Sequence, residues 1–328
     1  MDPEQMRGRA RAFYASLFSP DPTNAEACRV LWTELPTVSL GNRDRQELPL
    51  SLAELSEAFR LMPTNKSSAM DRLTMDFYRV FGDVLGPDLV TIWAKSMKSG
   101  VLFLSCRRAV LALLPKKGDL RDLRNWHPIS LLSMDYKVVV KAISLQLGSV
   151  LADVVHPDQT HTVPGWTIFD NLYLVWDLLE LGCRDGLSFA LLSLDQEKAF
   201  DRMDHGYLLG SLWAFSFRPQ FMGFLQVLYA DTECLVRLNW TLTKQVSFGW
   251  GVQQRRPLSG QLYALAIELF LCLLRQRLTG LVFWEPELQL VLLAYTNDMI
   301  LVVQERSDLL FPFPLVPPVV PHTGTLPP

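Results

Sequence analysis

The sequence predicts an α+β fold, in which an antiparallel sheet has helices packed on one side. The first sign is the stretch 288–303, where two apolar arms flank a short polar tip at 295–298. This pattern predicts a buried β-hairpin whose tip displays a carboxylate. The second sign is an apolar strand at 189–194 that leads directly into Asp195. The third is the alternation of such strands with segments of helical periodicity along the chain.

The composition indicates a globular protein and argues against a membrane-spanning one. The chain has 328 residues, of which 49% are hydrophobic and 20% charged, and its net charge is -3. Its longest apolar run, 262–274, is interrupted by Glu268 and is too short to cross a bilayer. The N-terminus has no apolar signal core. Five well-separated cysteines predict unpaired thiols in a reduced, intracellular protein.

The N-terminal half is predicted to be mainly helical. Residues 1–48 mix polar, proline and aromatic residues, and we expect them to form a connector. A capping box at Ser51 begins a helix whose apolar face includes Leu55 and Phe59, and residues 65–68 break the periodicity. The elements predicted after this break are a helix at 73–81, strands at 109–114 and 129–132, and helices at 137–155 and 168–182.

The C-terminal half alternates strands and helices more regularly. Residues 305–328 are rich in proline and predict a disordered tail. Before this tail the predicted elements are the strand 189–194, helices at 205–214 and 220–230, strands at 234–238 and 244–248, a helix at 259–278, and the hairpin 288–303.

Two carboxylates on strands are candidates for a metal site. Asp195 directly follows a strand, and Asp298 lies at the hairpin tip. Two such acids that converge are the minimum for a divalent cation that aligns a phosphate and a hydroxyl. Phe200, five residues after Asp195, could lie beside a bound sugar. An equally good reading is that Asp195 caps the following helix.

Basic residues are concentrated in one part of the chain. Between residues 101 and 150, eight Lys or Arg stand against three Asp. Lys116 and Lys117 follow an apolar strand and enter a turn, where they could bind a triphosphate. An ordinary solvated face, or a lysine pair that protects an edge strand, fits the charges equally well.

Six segments in this order resemble the reverse-transcriptase domain of LINE-type (non-LTR) retrotransposons. The segments read NKSSAMDRLTMDFYRVF, LSCRRAVLALLPKKGDLRDLRNWHPISLL, HPDQTHTVPGWTIFDN, LDQEKAFDRMDH, RRPLSGQLYALAIE and AYTNDMILVV. The resemblance implies a right-hand polymerase fold over 49–304, with fingers at about 49–187 and a palm at about 188–304. The thumb of that fold is expected to be missing. The implied activity is RNA-templated DNA synthesis with two Mg²⁺ ions, on an RNA template and a DNA primer, with no membrane and no obligate protein partner.

The resemblance also implies roles for individual residues. Asp195 and Asp298 would bind metal, and Phe200 would exclude ribonucleotides. Lys116 or Lys117 would contact the phosphates of the incoming nucleotide, and Gln254 would contact the nucleotide itself.

Several positions depart from the family pattern. Asn297 stands where the hairpin normally has its first aspartate, and His127 stands where the fingers normally have an arginine. Gln253 and Arg255 also differ from the usual arginine and glycine. Loss of one acid from a two-metal site removes several kcal/mol of transition-state stabilisation, on the order of a thousandfold in rate. We therefore expect little or no polymerase activity.

Three alternatives remain open from the sequence. The chain could be a weakly active polymerase that retains Asp195 and Asp298. It could be a non-catalytic module that binds RNA or protein through the basic stretch 107–124. It could also be an unstable relic, in which the missing thumb leaves Leu271 and Leu274 exposed to solvent and favours aggregation.

Overall fold

The computed structural model describes residues 2–20, 28, 31–32, 35–64, 71, 73–161, 165–196, 198–253, 256–283, 289–305 and 308. In chain order, the elements are α1 (Pro3–Leu17), α2 (Leu40–Gln46), α3 (Leu52–Leu61), α4 (Met75–Val80), α5 (Gly82–Ser99), α6 (Leu104–Arg107), β1 (Arg108–Pro115), a 3-10 turn (Leu123–Asn125), β2 (Trp126–Leu131), α7 (Met134–Val154), α8 (Ile168–Asp185), β3 (Ala190–Asp195), α9 (His205–Ala214), α10 (Pro219–Tyr229), β4 (Glu233–Leu238), β5 (Thr241–Leu242), β6 (Val246–Ser247), α11 (Ser259–Arg277), β7 (Leu281–Val282), β8 (Gln289–Leu290), β9 (Leu292–Tyr295) and β10 (Asp298–Val303).

The strands form two main sheets and one short pair. One sheet has the order β3-β10-β9 and is antiparallel throughout, as the hairpin pattern predicts. The second has the order β2-β1-β4-β5, with β6 also on β4. In this second sheet β1 and β2 are antiparallel, whereas β1 and β4 are parallel, with Arg108 opposite Glu233. The sequence did not predict the parallel pair.

One large apolar core joins both main sheets to the helices. Helix α11 lies at its centre and is apolar on nearly all sides, so thirteen of its residues are buried. Leu271 and Leu274 on this helix are fully buried, which makes the prediction of their exposure wrong. A helix that is apolar all round is stable only in such a central position.

The N-terminal helices belong to the same core. Residues 3–17, inside the predicted connector, form α1, and Tyr14 on this helix is fully buried. Phe18 contacts Phe248 with a ring-centroid distance of 4.2 Å. The capping box at Ser51 is present at the start of α3, as the sequence indicates.

Exposed apolar side chains are concentrated on α8. Phe169, Tyr173 and Trp176 are 59%, 69% and 71% exposed, while Leu178 on the opposite side of this helix is buried against Val302 and Leu281. Among the described residues, no helix is both long and apolar enough to cross a membrane. Residues 65–68 and the proline-rich tail from 311 onward lie outside the described residues.

Candidate active site

The hairpin brings the two predicted metal ligands side by side. Strand β10 pairs with β3 in the register that sets Asp298 opposite Asp195. Residues directly opposite in an antiparallel pair have Cβ atoms about 4.5–5.5 Å apart and point to the same face. Both carboxylates are exposed at the end of the sheet. The local cause is that β3 ends at Asp195 and β10 begins at Asp298, so the apolar residues of both strands lie on one side of the two acids, and the acids emerge together.

Asn297 takes part in this pair through its side-chain amide. Its Nδ2 donates a hydrogen bond to Oδ1 of Asp195 at 2.8 Å. Partial burial, and then the negative charge of Asp195, raise the pKa of Asp298 above the usual range of an aspartate. The two carboxylates therefore repel each other, and Asn297 satisfies one oxygen without supplying a negative charge.

The donor set fits one divalent cation better than two. Mg²⁺ prefers oxygen ligands and is often bound by one or two carboxylates together with water and substrate phosphates, and Asp195 and Asp298 supply two carboxylates. A second ion needs further oxygen ligands, and the amide of Asn297 has its nitrogen turned towards Asp195. Within the described part of the chain, no group of three His, Cys, Asp or Glu side chains is placed to hold a metal ion.

A cavity of about 340 Å³ opens beside Asp195. It brings together several residues that lie far apart in the sequence, and it combines cations with acids, as a phosphate-and-metal site would. The lining residues are Lys116, Arg124, His127, Asp195, Gln196, Lys198, Ala199, Phe200, Asp201 and Asn297.

Strands β1 and β2 deliver the basic side of this cavity. Leu114 lies opposite His127 across the pair, and the backbone N–H of Lys116 donates to the carbonyl of Asn125 at 2.7 Å. Lys116 and Lys117 are both exposed, and Lys116 is the one that lines the cavity. The structure thus places Lys116 and His127 near Asp195, and it places Lys117 in the turn beyond the cavity lining.

Phe200 lies on a rigid support. Its ring stacks on Tyr263 of α11 with centroids 4.9 Å apart, and the Tyr263 hydroxyl donates to Oε1 of Gln196. The carbonyl of Phe200 accepts a hydrogen bond from Val252 N at 2.7 Å. Gly251 has a φ of +91°, and a Cβ there would lie 2.7 Å from the carbonyl oxygen of Asp201. The close approach of these two segments therefore requires glycine.

Sequence reasoning missed Gln196, Lys198 and Tyr263 as parts of the site. Gln196 and Lys198 come directly after the strand that ends at Asp195, so their closeness to Asp195 in the sequence could have indicated that they belong to the site. Tyr263 contacts Phe200 from a helix more than sixty residues away, and no local pattern indicates it. Gln254 and Arg255 lie outside the described residues.

Arg256 lies beside the predicted nucleotide region and is 4% exposed. Its guanidinium lies over the rings of Tyr136 and Tyr229, at 5.2 and 4.9 Å from their centroids. One nitrogen donates to Oε1 of Gln253 at 2.8 Å. Its Nε and Nη1 are buried without a hydrogen-bond partner among the described residues. Gln253, one of the residues that differ from the family pattern, therefore accepts a hydrogen bond from a buried arginine.

Comparison with known proteins decides the family. The family described as reverse transcriptase (RNA-dependent DNA polymerase) matches residues 114–315. The chain belongs to this family. It is 61% identical over 308 residues to the transposon TX1 uncharacterized 149 kDa protein of Xenopus laevis, a match that covers 94% of this chain and 24% of that protein. It is 26% identical over 205 residues to a Pol polyprotein from the type-1 retrotransposable element R2 of Popillia japonica, with 61% of this chain and 28% of that protein covered.

These matches confirm the resemblance to non-LTR retrotransposon reverse transcriptases and the α+β polymerase fold class. The chain spans about a quarter of the length of these two relatives. Among solved structures, it is similar to apo telomerase from Candida tropicalis truncated from its C-terminal domain. The TM-score is 0.44 at 15% identity, with 75% of this chain and 53% of that one covered. Members of the family use divalent metal ions, which accords with the paired acids.

Proposed function

We propose that this chain is a degenerate reverse-transcriptase domain of a non-LTR element, in which RNA-templated DNA synthesis is lost or nearly lost. The observation that supports this proposal is the amide of Asn297, which bonds to Asp195 where the family pattern has a carboxylate. In this proposal the fingers cover about 49–187 and the palm about 188–304. The ancestral partners are an RNA template and a DNA primer.

The remaining residues would keep part of the ancestral roles. Asp195 and Asp298 would hold one Mg²⁺, which when bound aligns a primer hydroxyl with a triphosphate. Lys116 would contact the triphosphate, while His127 lacks the bidentate fork of an arginine. The supported ring of Phe200 would lie against the sugar and exclude ribonucleotides. Gln254 would contact the nucleotide, and that role stays a prediction from the family pattern.

The size of the expected defect follows from the missing charge. A hard dication gains far more from a carboxylate than from a neutral amide, and the residues that the structure describes offer too few ligands for a second ion. Several kcal/mol of lost transition-state stabilisation correspond to a rate reduced on the order of a thousandfold. The fold does not need that charge, so a folded but inactive domain is the expected outcome.

Primer extension on purified protein tests the proposal directly. The unmodified chain is expected to extend an RNA-templated primer at background level in Mg²⁺ or Mn²⁺, and Asn297→Asp should raise the rate by about a hundredfold or more. A matched control is Asn239→Asp, which adds the same charge in a different hairpin turn, that between β4 and β5. Adding Asp195→Asn to Asn297→Asp should abolish the gain. Robust synthesis by the unmodified chain would contradict the proposal.

RNA binding through the basic stretch 107–124 has less support. Four of its arginines form ion pairs within the protein, which neutralises much of the local charge. The pairs are Arg107 with Asp231, Arg108 with Glu233, Arg121 with Asp119, and Arg124 with Asp122. A salt-dependent RNA-binding measurement with Lys116 and Lys117 replaced by alanine tests what remains, because a phosphate-binding surface must lose affinity steeply with salt.

A further inference from the structure

Gln159 supports the hairpin turn from the outer edge of β9. Its side chain is fully buried, and its Oε1 accepts a hydrogen bond from the backbone N–H of Thr296 at 3.2 Å. Its Nε2 is directed at the carbonyl of Thr296 at 3.5 Å. One side chain thus pairs with both backbone polar groups of the residue that forms the turn between β9 and β10.

Thr296 needs such support because its backbone is strained. Its φ is +60°, in the left-handed region that β-branched residues rarely adopt. Holding a non-glycine residue there costs on the order of 1–3 kcal/mol unless the surroundings impose it. The next two residues are Asn297 and Asp298, so the conformation of Thr296 sets the direction in which both of them leave the turn.

The segment that carries Gln159 is itself fixed. The N–H of Ala294 donates to the carbonyl of Asp158 at 2.8 Å, and the N–H of Thr160 donates to the carbonyl of Ala294 at 3.1 Å. Residues 158–160 therefore run along the outer edge of β9. Asn171 of α8 adds a hydrogen bond to the same Ala294 carbonyl at 2.9 Å.

An ion pair ties this segment to the central helix. The guanidinium of Arg275 donates to both carboxylate oxygens of Asp158, at 2.8 and 2.5 Å. Arg275 also bonds to the buried Glu268 at 2.7 Å. The segment that carries Gln159 is therefore anchored to a helix at the centre of the core.

We propose that Gln159 is a positioning residue for the hairpin turn: it imposes the left-handed conformation of Thr296, so that Asn297 and Asp298 face Asp195. It is not a catalytic residue, since it lies along the outer edge of β9 and outside the lining of the cavity. The metal-binding part of this inference rests on the proposed function, whereas the conformational part stands on the contacts alone.

Hydrogen exchange separates this role from ordinary core packing. Gln159→Met keeps the length and buries no new polar group. It leaves both backbone groups of Thr296 without this partner, and it also removes the hydrogen bond that the N–H of His161 donates to Oε1 at 3.3 Å. Exchange of the amides at 292–300 is expected to rise about tenfold in this variant, because two hydrogen bonds are lost at a strained turn. Gln46→Met is the matched control, since Gln46 is also buried and accepts one backbone hydrogen bond, from Arg218 at 3.0 Å. It should leave exchange at 292–300 unchanged.

A double-mutant cycle gives a second readout. Thr296→Gly removes the conformational strain, so Gln159→Met should accelerate exchange less in that background. If Gln159→Met fails to fold, Gln159→Asn, which is one methylene shorter, replaces it in the same comparison. Exchange at 292–300 that stays at the wild-type rate, or that rises equally in Gln46→Met, overturns the proposal.

Metal binding tests the functional consequence separately. In the Asn297→Asp background, titration with Mn²⁺ followed by electron paramagnetic resonance should give an affinity that falls at least about fivefold when Gln159→Met is added. Absence of Mn²⁺ binding by Asn297→Asp itself contradicts the proposed function, and the exchange result still decides the role of Gln159. Unchanged Mn²⁺ affinity in the double variant overturns the inference that the turn orients the ligands.

Discussion

The hairpin β9–β10 has an exposed side, called the front, where its tip meets Asp195. It also has a buried side, called the back, where residues 158–160 and α8 meet the outer edge of β9. The two sides differ in how completely their polar groups are hydrogen-bonded. At the front, Asp195 and Asp298 are exposed and repel each other, and Asn297 bonds to Asp195. At the back, Gln159 and Asn171 are buried and bond to the hairpin backbone. The back keeps a connected hydrogen-bond network, while the front sets two acids beside one amide.

Under the proposed function, fold and activity rest on separate residues of one hairpin. A buried polar group that loses its partner destabilises the protein by about 1–3 kcal/mol, whereas an exposed group turns to water. We therefore expect substitutions at the back to lower the free energy of unfolding, and substitutions at the front to change it much less. A sequence that loses its activity can keep the polymerase architecture.

The largest effect is expected from removing Arg275 at the back. Arg275→Met leaves Asp158 and the fully buried Glu268 without their shared cation. Breaking a buried ion pair by deleting one partner costs about 3–5 kcal/mol, so urea unfolding should show a loss of that size in the free energy of unfolding. The control is Arg60→Met, which breaks an exposed pair with Glu57. It should leave the free energy of unfolding unchanged within experimental error. Equal losses in the two variants would contradict the assignment of stability to the back.

The next largest effect is a pH dependence from Glu268. Burial raises the pKa of Glu268 to about 7, despite the neighbouring Arg275. Because this pKa is higher in the folded than in the unfolded chain, the folded chain binds the proton more tightly. The stabilisation is complete below the unfolded pKa and is lost as pH rises through about 7.

Unfolding of the wild type and of Glu268→Gln at pH 5 and pH 8 measures this contribution. The wild type should lose roughly 2–3 kcal/mol relative to the variant between these two pH values. Asp298→Asn at the exposed front is the companion measurement and should shift the pH dependence far less. A wild type and a Glu268→Gln variant with parallel pH profiles would show that Glu268 does not titrate in this range.

The sequence could predict the front because its determinants are local. An apolar strand that ends in Asp195 and an apolar hairpin that ends in Asp298 are readable residue by residue, and their pairing follows from antiparallel geometry. The back could not be predicted, because Gln159 contacts Thr296 from 137 positions away. No periodicity connects these two residues.

The remaining differences have similar causes. Helix α5 was not predicted from the sequence. Gly82, Gly86 and Pro87 have low helix propensity, and contacts with other helices hold these residues in a helix. Exposure of Leu271 was predicted from the expected absence of a thumb, but α11 is surrounded by the elements that are present. The parallel pairing of β1 with β4 depends on a connection of more than one hundred residues, which local patterns do not specify.

A smaller effect with the opposite sign is expected from Arg256, whose guanidinium is buried but only partly hydrogen-bonded. Two of its guanidinium nitrogens are buried without partners among the described residues. Arg256→Met should raise the free energy of unfolding by about 1 kcal/mol, because an apolar chain of similar length removes the desolvation penalty. Arg79→Met is the contrasting control, since the Arg79 guanidinium donates to three backbone carbonyls and its loss should destabilise the protein. Destabilisation by both variants would show that the tyrosine rings around Arg256 compensate its charge.

The smallest effect on stability is expected at the front, from Asn297→Asp. The substitution removes the hydrogen bond to Asp195 and adds a third negative charge beside two others. Because these groups are exposed and screened by solvent, the free energy of unfolding should fall by about 1 kcal/mol or less without metal. Added Mn²⁺ should restore it and raise the unfolding midpoint with increasing concentration, since an ion that binds only the folded chain stabilises it by mass action. The wild type should show a smaller rise over the same Mn²⁺ range, and equal responses would show that Asn297 is not the position that limits metal binding.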